Sequence, residues 1–115
     1  MTRGEVWWVH LDERCPVVVL SQDGADRVRG ILVVAPASAN IDGIAIEVRI
    51  GAGEGLPIEG VVRVAFPRPG HINCNWLVTL PQHGLLERAG VLSPAKLREL
   101  DDALRRGGLE SFSIR

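Results

Sequence analysis

The spacing of apolar positions changes several times along this chain, and each change marks an element. Glu5 to Leu11 is rich in β-branched and aromatic residues, and Val17 to Leu20 is an unbroken apolar run of strand length. The second run does not alternate, which predicts burial on both faces, as in the middle of a sheet. Ile31 to Ala35 is a third strand, apolar throughout and stopped by Pro36. Ile44, Ile46, Val48 and Ile50 then alternate with Ala45, Glu47 and Arg49, the pattern of a half-exposed strand. Val61 to Phe66, with Arg63 on its polar phase, predicts a fifth strand, and Asn73 to Leu80 a sixth. Trp76 has apolar neighbours and is expected in the core. Leu85 to Gly90 fits a helical turn or a short strand equally well.

The connections are polar. Asp12, Glu13 and Arg14 form a short charged loop after the first strand, and Pro16 pushes Cys15 toward an extended conformation. Ser21 to Gly30 contains Asp23-Gly24 and reads as a loop, as does Gly51 to Gly60 with its four glycines and Pro57. Near the C-terminus the period becomes helical. Ser93 is an N-cap, Pro94 takes the first helical position, Leu97, Leu100 and Leu104 share a face, and Gly107 follows Arg105 and Arg106. This predicts an amphipathic helix from Ser93 to Arg106 lying on one face of the sheet, with Asp101 and Asp102 toward solvent. The fold class is mostly β: a barrel-like, curved antiparallel sheet plus a C-terminal helix, in one domain over 1–109, with 110–115 as a loose tail.

Composition narrows the class. A chain of 115 residues closes one hydrophobic core, and 46% hydrophobic with 23% charged residues excludes a wholly disordered protein. No apolar run approaches the ~18 residues of a membrane span, and Glu5 follows Arg3 too soon for a signal peptide. Cys15 and Cys74 lack metal-ligand spacing and are expected as reduced thiols of a cytoplasmic protein. A net charge of −1 makes no whole-molecule case for nucleic-acid binding. Twelve of the thirteen basic residues are arginine, so an anion site here would be built from guanidinium forks.

Candidate chemistry is sparse. The chain has no phosphate-binding glycine loop, dinucleotide fingerprint, nucleophile elbow or zinc spacing. His10, His71 and His83 share no element, and His71, beside Arg68 in a loop, is the best placed of them. Arg14 is a cation on a short loop held by two strands, a position where chemistry is plausible, although the loop alone favours plain solvation of a hairpin tip. Ser38 follows the third strand; it is a turn residue unless its hydroxyl emerges beside another reactive group. The residues alone reach a small, mostly β domain with arginines on loops.

Several stretches carry a resemblance further. Arg3-Gly-Glu-Val-Trp-Trp-Val-His-Leu-Asp12 resembles the entry strand of the MazF/PemK family of toxin ribonucleases. Pro16-Val-Val-Val-Leu-Ser21 is similar to the segment that follows it, and Val33-Val-Ala-Pro-Ala-Ser-Ala-Asn40 to the family's Val-x-Ala-Pro-Ile-Thr-Ser-Asn. Gly53-Glu-Gly-Leu56 is similar to a recurring glycine loop, and Leu92-Ser-Pro-Ala-Lys-Leu97 to the opening of the terminal helix. The matches span most of the chain in the right order and spacing.

The resemblance implies a curved antiparallel barrel working as a homodimer, no cofactor and no metal. It also implies cleavage of single-stranded RNA at short sequences by 2′-hydroxyl attack, and inhibition by a cognate MazE-like antitoxin. Its catalytic arginine normally stands just before the proline, where this chain has Cys15, with Arg14 one residue earlier. Its threonine corresponds to Ser38, and its Asp-Gln-x-Arg after the fifth strand to Ala65-Phe66-Pro67-Arg68. The expected site is therefore Arg14 with Ser38 at the scissile phosphate, and Asn40, Arg68 and His71 gripping RNA or relaying a proton. The alternatives are a non-catalytic toxin of similar fold, such as the gyrase poison CcdB, or a degenerate member that binds only RNA or antitoxin.

Overall fold

The apolar runs become strands wherever their side chains reach a common core. The computed structural model describes residues 2–22, 24–66 and 76–109, and within them seven strands precede one helix. They are β1 (Glu5–His10), β2 (Arg14–Gln22), β3 (Arg27–Val34), β4 (Ala45–Ile50), β5 (Gly60–Ala65), β6 (Leu77–Pro81), β7 (Leu85–Val91) and α1 (Pro94–Arg106). A short 3₁₀ turn, Ala52–Glu54, lies between β4 and β5, and a second, Gln82–Gly84, between β6 and β7.

All pairings are antiparallel, in the order β4-β5-β3-β2-β1-β7, with β6 also paired to β3. Val17, Val18, Val19 and Leu20 are all buried, as a doubly covered central strand requires. Val18 and Leu20 join the main core with Val6, Ile31, Val48, Ile50, Val62, Val64, Leu100 and Leu104. Val17 points the other way, into a smaller cluster with Val9 and Leu80. Strand β4 at one end of the hydrogen-bonded path and Ala89 of β7 at the other pack on the same core, so the sheet curls around it.

Helix α1 closes the open side of that curl. Ser93 Oγ accepts a hydrogen bond from the Lys96 amide at 3.1 Å, and Pro94 fills the first turn, where a missing N–H costs nothing. Burying Leu100 and Leu104 completely stabilises the fold by about 2 kcal/mol each.

Some expectations change, and one open alternative closes. The loop expected over Ser21 to Gly30 is mostly strand: β2 runs on to Gln22 and β3 starts at Arg27, paired as Gln22↔Val28 and Ser21↔Arg29. Polar residues dominate this hairpin, although Val28 within it is buried. The segment from Leu85, which fitted a helical turn or a short strand, is a strand. The sixth strand begins at Leu77, and Trp76, just before it, is half-buried outside the main core. Residues 73–75 of that expected strand, Cys74 and the tail 110–115 lie outside the described residues.

A further change concerns Asp101. It is buried rather than solvent-facing, because it follows Leu97 by four residues and precedes Leu104 by three, which puts it on the apolar stripe. Arg3 reaches it with Nη2, and the other terminal nitrogen of Arg3 donates to the Leu20 carbonyl at 2.5 Å. The chain start is thereby tied to both β2 and α1. Removing one partner leaves the other charge poorly solvated. With Arg3 still 18% exposed, Asp101→Ala is expected to cost about 2 kcal/mol, below the range for a fully buried pair, measured as a lowered urea midpoint.

Candidate functional site

The first hairpin turns within three residues. Strand β1 ends at His10, β2 begins at Arg14 directly opposite, and the Leu11 amide donates to the Glu13 carbonyl at 3.1 Å. Arg14 is therefore the first residue of a strand, not a loop residue. Side chains alternate across a strand, so Arg14 is in phase with Pro16 and Val18 and, across the ladder, with Trp8, which packs on the main core. Cys15 is in the opposite phase and packs with Val9, Val17 and Trp7 in the second cluster. Burial pushes the Cys15 thiol above its usual value and the negative charge of Glu13 pushes it further. It stays a neutral thiol at pH 7 and supplies no anionic base.

Beside this hairpin tip opens a cleft of about 630 Å³. Trp8 and Arg14 line one side; Ala35 at the exit of β3, Ile58, Glu59 and Trp76 line others. The Arg14 guanidinium carbon lies 5.0 Å from the Trp8 ring centroid, and its Nη2 lies 3.3 Å from Glu87 Oε2. Both side chains of that ion pair are more than half exposed, so the pair contributes little, about 0–1 kcal/mol. The ring and Glu87 hold Arg14 at the mouth of the cleft, yet an incoming phosphate has only a weak partner to displace. Asp12, Glu13 and Glu59 also line the cleft, which gives it acceptors suited to the N–H edges of bases.

A second arginine–tryptophan pair stands at the far wall. Arg63 lies 5.0 Å from the Trp76 ring centroid. It faces Glu47 across the β4–β5 ladder, and its Nε and Nη2 donate to Glu47 Oε2 at 3.1 and 2.9 Å. The same carboxylate oxygen accepts the Ala37 amide at 2.9 Å, and Arg63 Nη2 donates to the Ala35 carbonyl at 2.9 Å. Partial burial by itself would raise the Glu47 pKa. The hydrogen bonds from Ala37 and Arg63, with the charges of Arg63 and Arg49, outweigh it and hold the carboxyl below its ordinary value. A carboxyl lowered by folding adds stability above the unfolded-state pKa, and that stability is lost as pH falls through the lower folded value. Glu47→Gln is accordingly expected to lose less stability than the parent between pH 6 and pH 3, measured by urea unfolding at each pH. Among the described residues, no three His, Cys, Asp or Glu side chains stand close enough to share a metal ion.

The family description "PemK-like, MazF-like toxin of type II toxin-antitoxin system" matches residues 2–107. The chain belongs to the PemK/MazF family. The Probable endoribonuclease MazF5 of Mycobacterium tuberculosis (strain ATCC 25618 / H37Rv) is 38% identical over 105 residues, covering 89% of this chain and 87% of that relative. The solved structure of Mycobacterium tuberculosis toxin MazF-mt6 covers 96% of this chain and 99% of its own, with a TM-score of 0.65 and 18% identity. At that identity the likeness is one of fold, and it agrees with the curved antiparallel sheet and terminal helix.

In this PemK/MazF chain the candidate residues are unevenly placed. Arg14 lines the cleft. Ser38 is exposed, three residues beyond the cleft-lining Ala35, and is not itself part of the lining. Asn40 is exposed, and its Oδ1 accepts the Asp42 amide at 2.9 Å, capping the turn before β4. Arg68 and His71 lie outside the described residues. The site also contains residues that sequence patterns did not single out. Trp8 and Trp76 form its aromatic walls, and Glu47 with Arg63 fixes the exit of β3. The available signal for the latter was an acid and a base on the polar phases of two consecutive strands.

Proposed function

We propose that this chain is the toxin of a type II toxin–antitoxin pair and acts as a metal-independent endoribonuclease on single-stranded RNA. The observation that carries the reading is Arg14: a weakly paired guanidinium at the mouth of an aromatic-walled cleft, on a PemK/MazF fold. The 38% identity to a probable endoribonuclease supports it.

In this mechanism the ribose 2′-oxygen forms a bond to its own 3′-phosphorus and the bond from phosphorus to the 5′-oxygen breaks. The 2′-hydroxyl gives up a proton and the departing 5′-oxygen takes one. The products are a 2′,3′-cyclic phosphate and a 5′-hydroxyl. No protein nucleophile is needed, which suits a cleft whose thiol stays neutral. Arg14 stabilises the charge that builds on the phosphoryl oxygens, where a preorganised donor is worth most. Ser38, carried on the segment leaving the cleft wall, supplies a hydroxyl to the same phosphate. Asn40, Arg68 and His71 contact the RNA beyond it. Arginine holds its proton too tightly to be a good base, so His71 is the residue suited to proton relay near neutral pH. The 2′-hydroxyl requirement restricts the substrate to RNA.

The working form in this reading is a homodimer held in check by a MazE-like antitoxin; sedimentation showing a monomer at micromolar concentration would refute the dimer. The class of activity is tested by incubating pure protein with a long RNA in EDTA, beside a gyrase supercoiling assay. Discrete RNA fragments with gyrase unaffected support the ribonuclease. Intact RNA with gyrase inhibited supports the non-catalytic toxin, and intact RNA with gyrase unaffected the binding-only member.

A further inference from the structure

Glu47 and Arg63 belong to no part of the reaction described above, yet three N–H groups converge on one oxygen of Glu47. The Ala37 amide and the Nε and Nη2 of Arg63 all donate to Oε2, at 2.9, 3.1 and 2.9 Å. Both side chains are about four-fifths buried, with exposures of 19% for Arg63 and 21% for Glu47. Such a pair is less screened than the surface bridge of Arg14, and its geometry is more sharply held.

What the pair holds is the point at which β3 leaves the sheet. Arg63 grips the Ala35 carbonyl and Glu47 grips the Ala37 amide, so backbone on both sides of Pro36 is fixed to the β4–β5 ladder. Ser38 is the next residue. The same guanidinium lies against the Trp76 ring, and Trp76 lines the cleft. Arg63 itself is not part of the lining. One ion pair thus ties together a cleft wall and the backbone next to a candidate reactive hydroxyl, without touching the cleft.

We propose that Glu47 and Arg63 are positioning residues for RNA cleavage: together they set the place of the Ala35–Ser38 segment and of the Trp76 ring relative to Arg14. This inference rests on the ribonuclease reading. A planar guanidinium is required, because it makes two hydrogen bonds to Glu47, one to Ala35 and a stacking contact at once; lysine, with its three donors on one nitrogen at the end of a flexible stem, does not span all of these together. Misplacing a reactive group by about 1 Å costs up to about a hundredfold in rate.

The test compares Glu47→Ala, Glu47→Gln and Arg63→Lys with the parent on one RNA in EDTA, below the melting temperature of every variant. Hydrogen exchange of the Ala37 amide is read in parallel. Glu47→Ala and Arg63→Lys are expected to lower kcat between about tenfold and a hundredfold, with KM changing far less, and Glu47→Ala to speed exchange at Ala37. Glu47→Gln keeps an acceptor for the Ala37 amide and is expected to recover most of the rate lost in Glu47→Ala. If Glu47→Ala does not fold, Arg63→Lys carries the same kinetic expectation. Folded variants with the parent's kcat, in an enzyme that does cut RNA, overturn this inference alone. A glutamine variant no faster than the alanine variant, with rate and melting temperature falling in parallel, also overturns it by showing a purely structural pair. A parent protein that leaves RNA intact refutes the ribonuclease reading and this inference with it.

Discussion

Gly55→Ala is expected to cost about 4 kcal/mol or more of stability and to lower the melting temperature by about 15 °C. Gly55 has φ +95°, a left-handed conformation that favours glycine, and a Cβ there would overlap the Ala89 carbonyl oxygen of β7. The approach is mutual, because a Cβ on Gly90 would overlap the Glu54 carbonyl oxygen. Backbone lies against backbone where the β4–β5 connection meets β7, so neither side can yield by turning a side chain. This contact joins the two ends of the hydrogen-bonded path and lets the sheet curl around its core. Against a typical total of about 5–15 kcal/mol, the loss removes between about a quarter and four-fifths of the stability. Gly53→Ala is the control: it lies in the same turn, has no positive φ, and its added methyl meets nothing within 4 Å. It should melt within a few degrees of the parent. Thermal unfolding of both variants by circular dichroism decides the matter, and a Gly55→Ala protein as stable as Gly53→Ala would show that the two ends of the sheet are joined differently.

The other large effect is on activity. Arg14→Ala is expected to lower RNA cleavage on the order of a hundredfold or more, as removing a placed charge stabiliser does. Its melting temperature should barely move, since the pair with Glu87 is exposed and the stacking on Trp8 is worth only about 0.5–1 kcal/mol at such a site. That combination separates a reactive role from a structural one. Ser38→Ala should weaken cleavage less, because the hydroxyl is a neutral donor where Arg14 is a charged one. Cleavage at the parent's rate by Arg14→Ala, together with an inert His71→Ala, would move the reaction's centre away from Arg14.

The sequence made some of this legible and concealed the rest for identifiable reasons. Val17 to Leu20 announced a doubly buried strand because nothing polar interrupts it, and the alternation from Ile44 to Ile50 marked the strand observed as β4. The helix was readable from both ends, by Ser93-Pro94 and by the arginines before Gly107. Asp101 was misread because a carboxylate on an apolar stripe looks like the edge of the polar face until Arg3, far away in sequence, is known to meet it. The β2–β3 hairpin was taken for a loop because its outer half carries one buried apolar residue, Val28, among polar ones, too little to make an apolar run. At the site, the one-residue offset between Arg14 and Cys15 was visible. Which face each takes required the register with β1. The Glu47–Arg63 pair was hidden in the same way: acid and base sat on the polar phases of two strands, and only pairing shows them opposite each other.

The chemistry of the cut ends distinguishes attack by the ribose 2′-hydroxyl from cleavage by water. RNA is incubated with the protein in EDTA, and the new 5′ ends are offered to a polynucleotide kinase with and without prior phosphatase treatment. Attack by the ribose 2′-hydroxyl, with Arg14 steadying the phosphate, predicts ends that are phosphorylated equally well without the phosphatase, and no cutting of DNA of the same sequence. Fragments that accept phosphate only after phosphatase treatment, or DNA cut alongside the RNA, would contradict it.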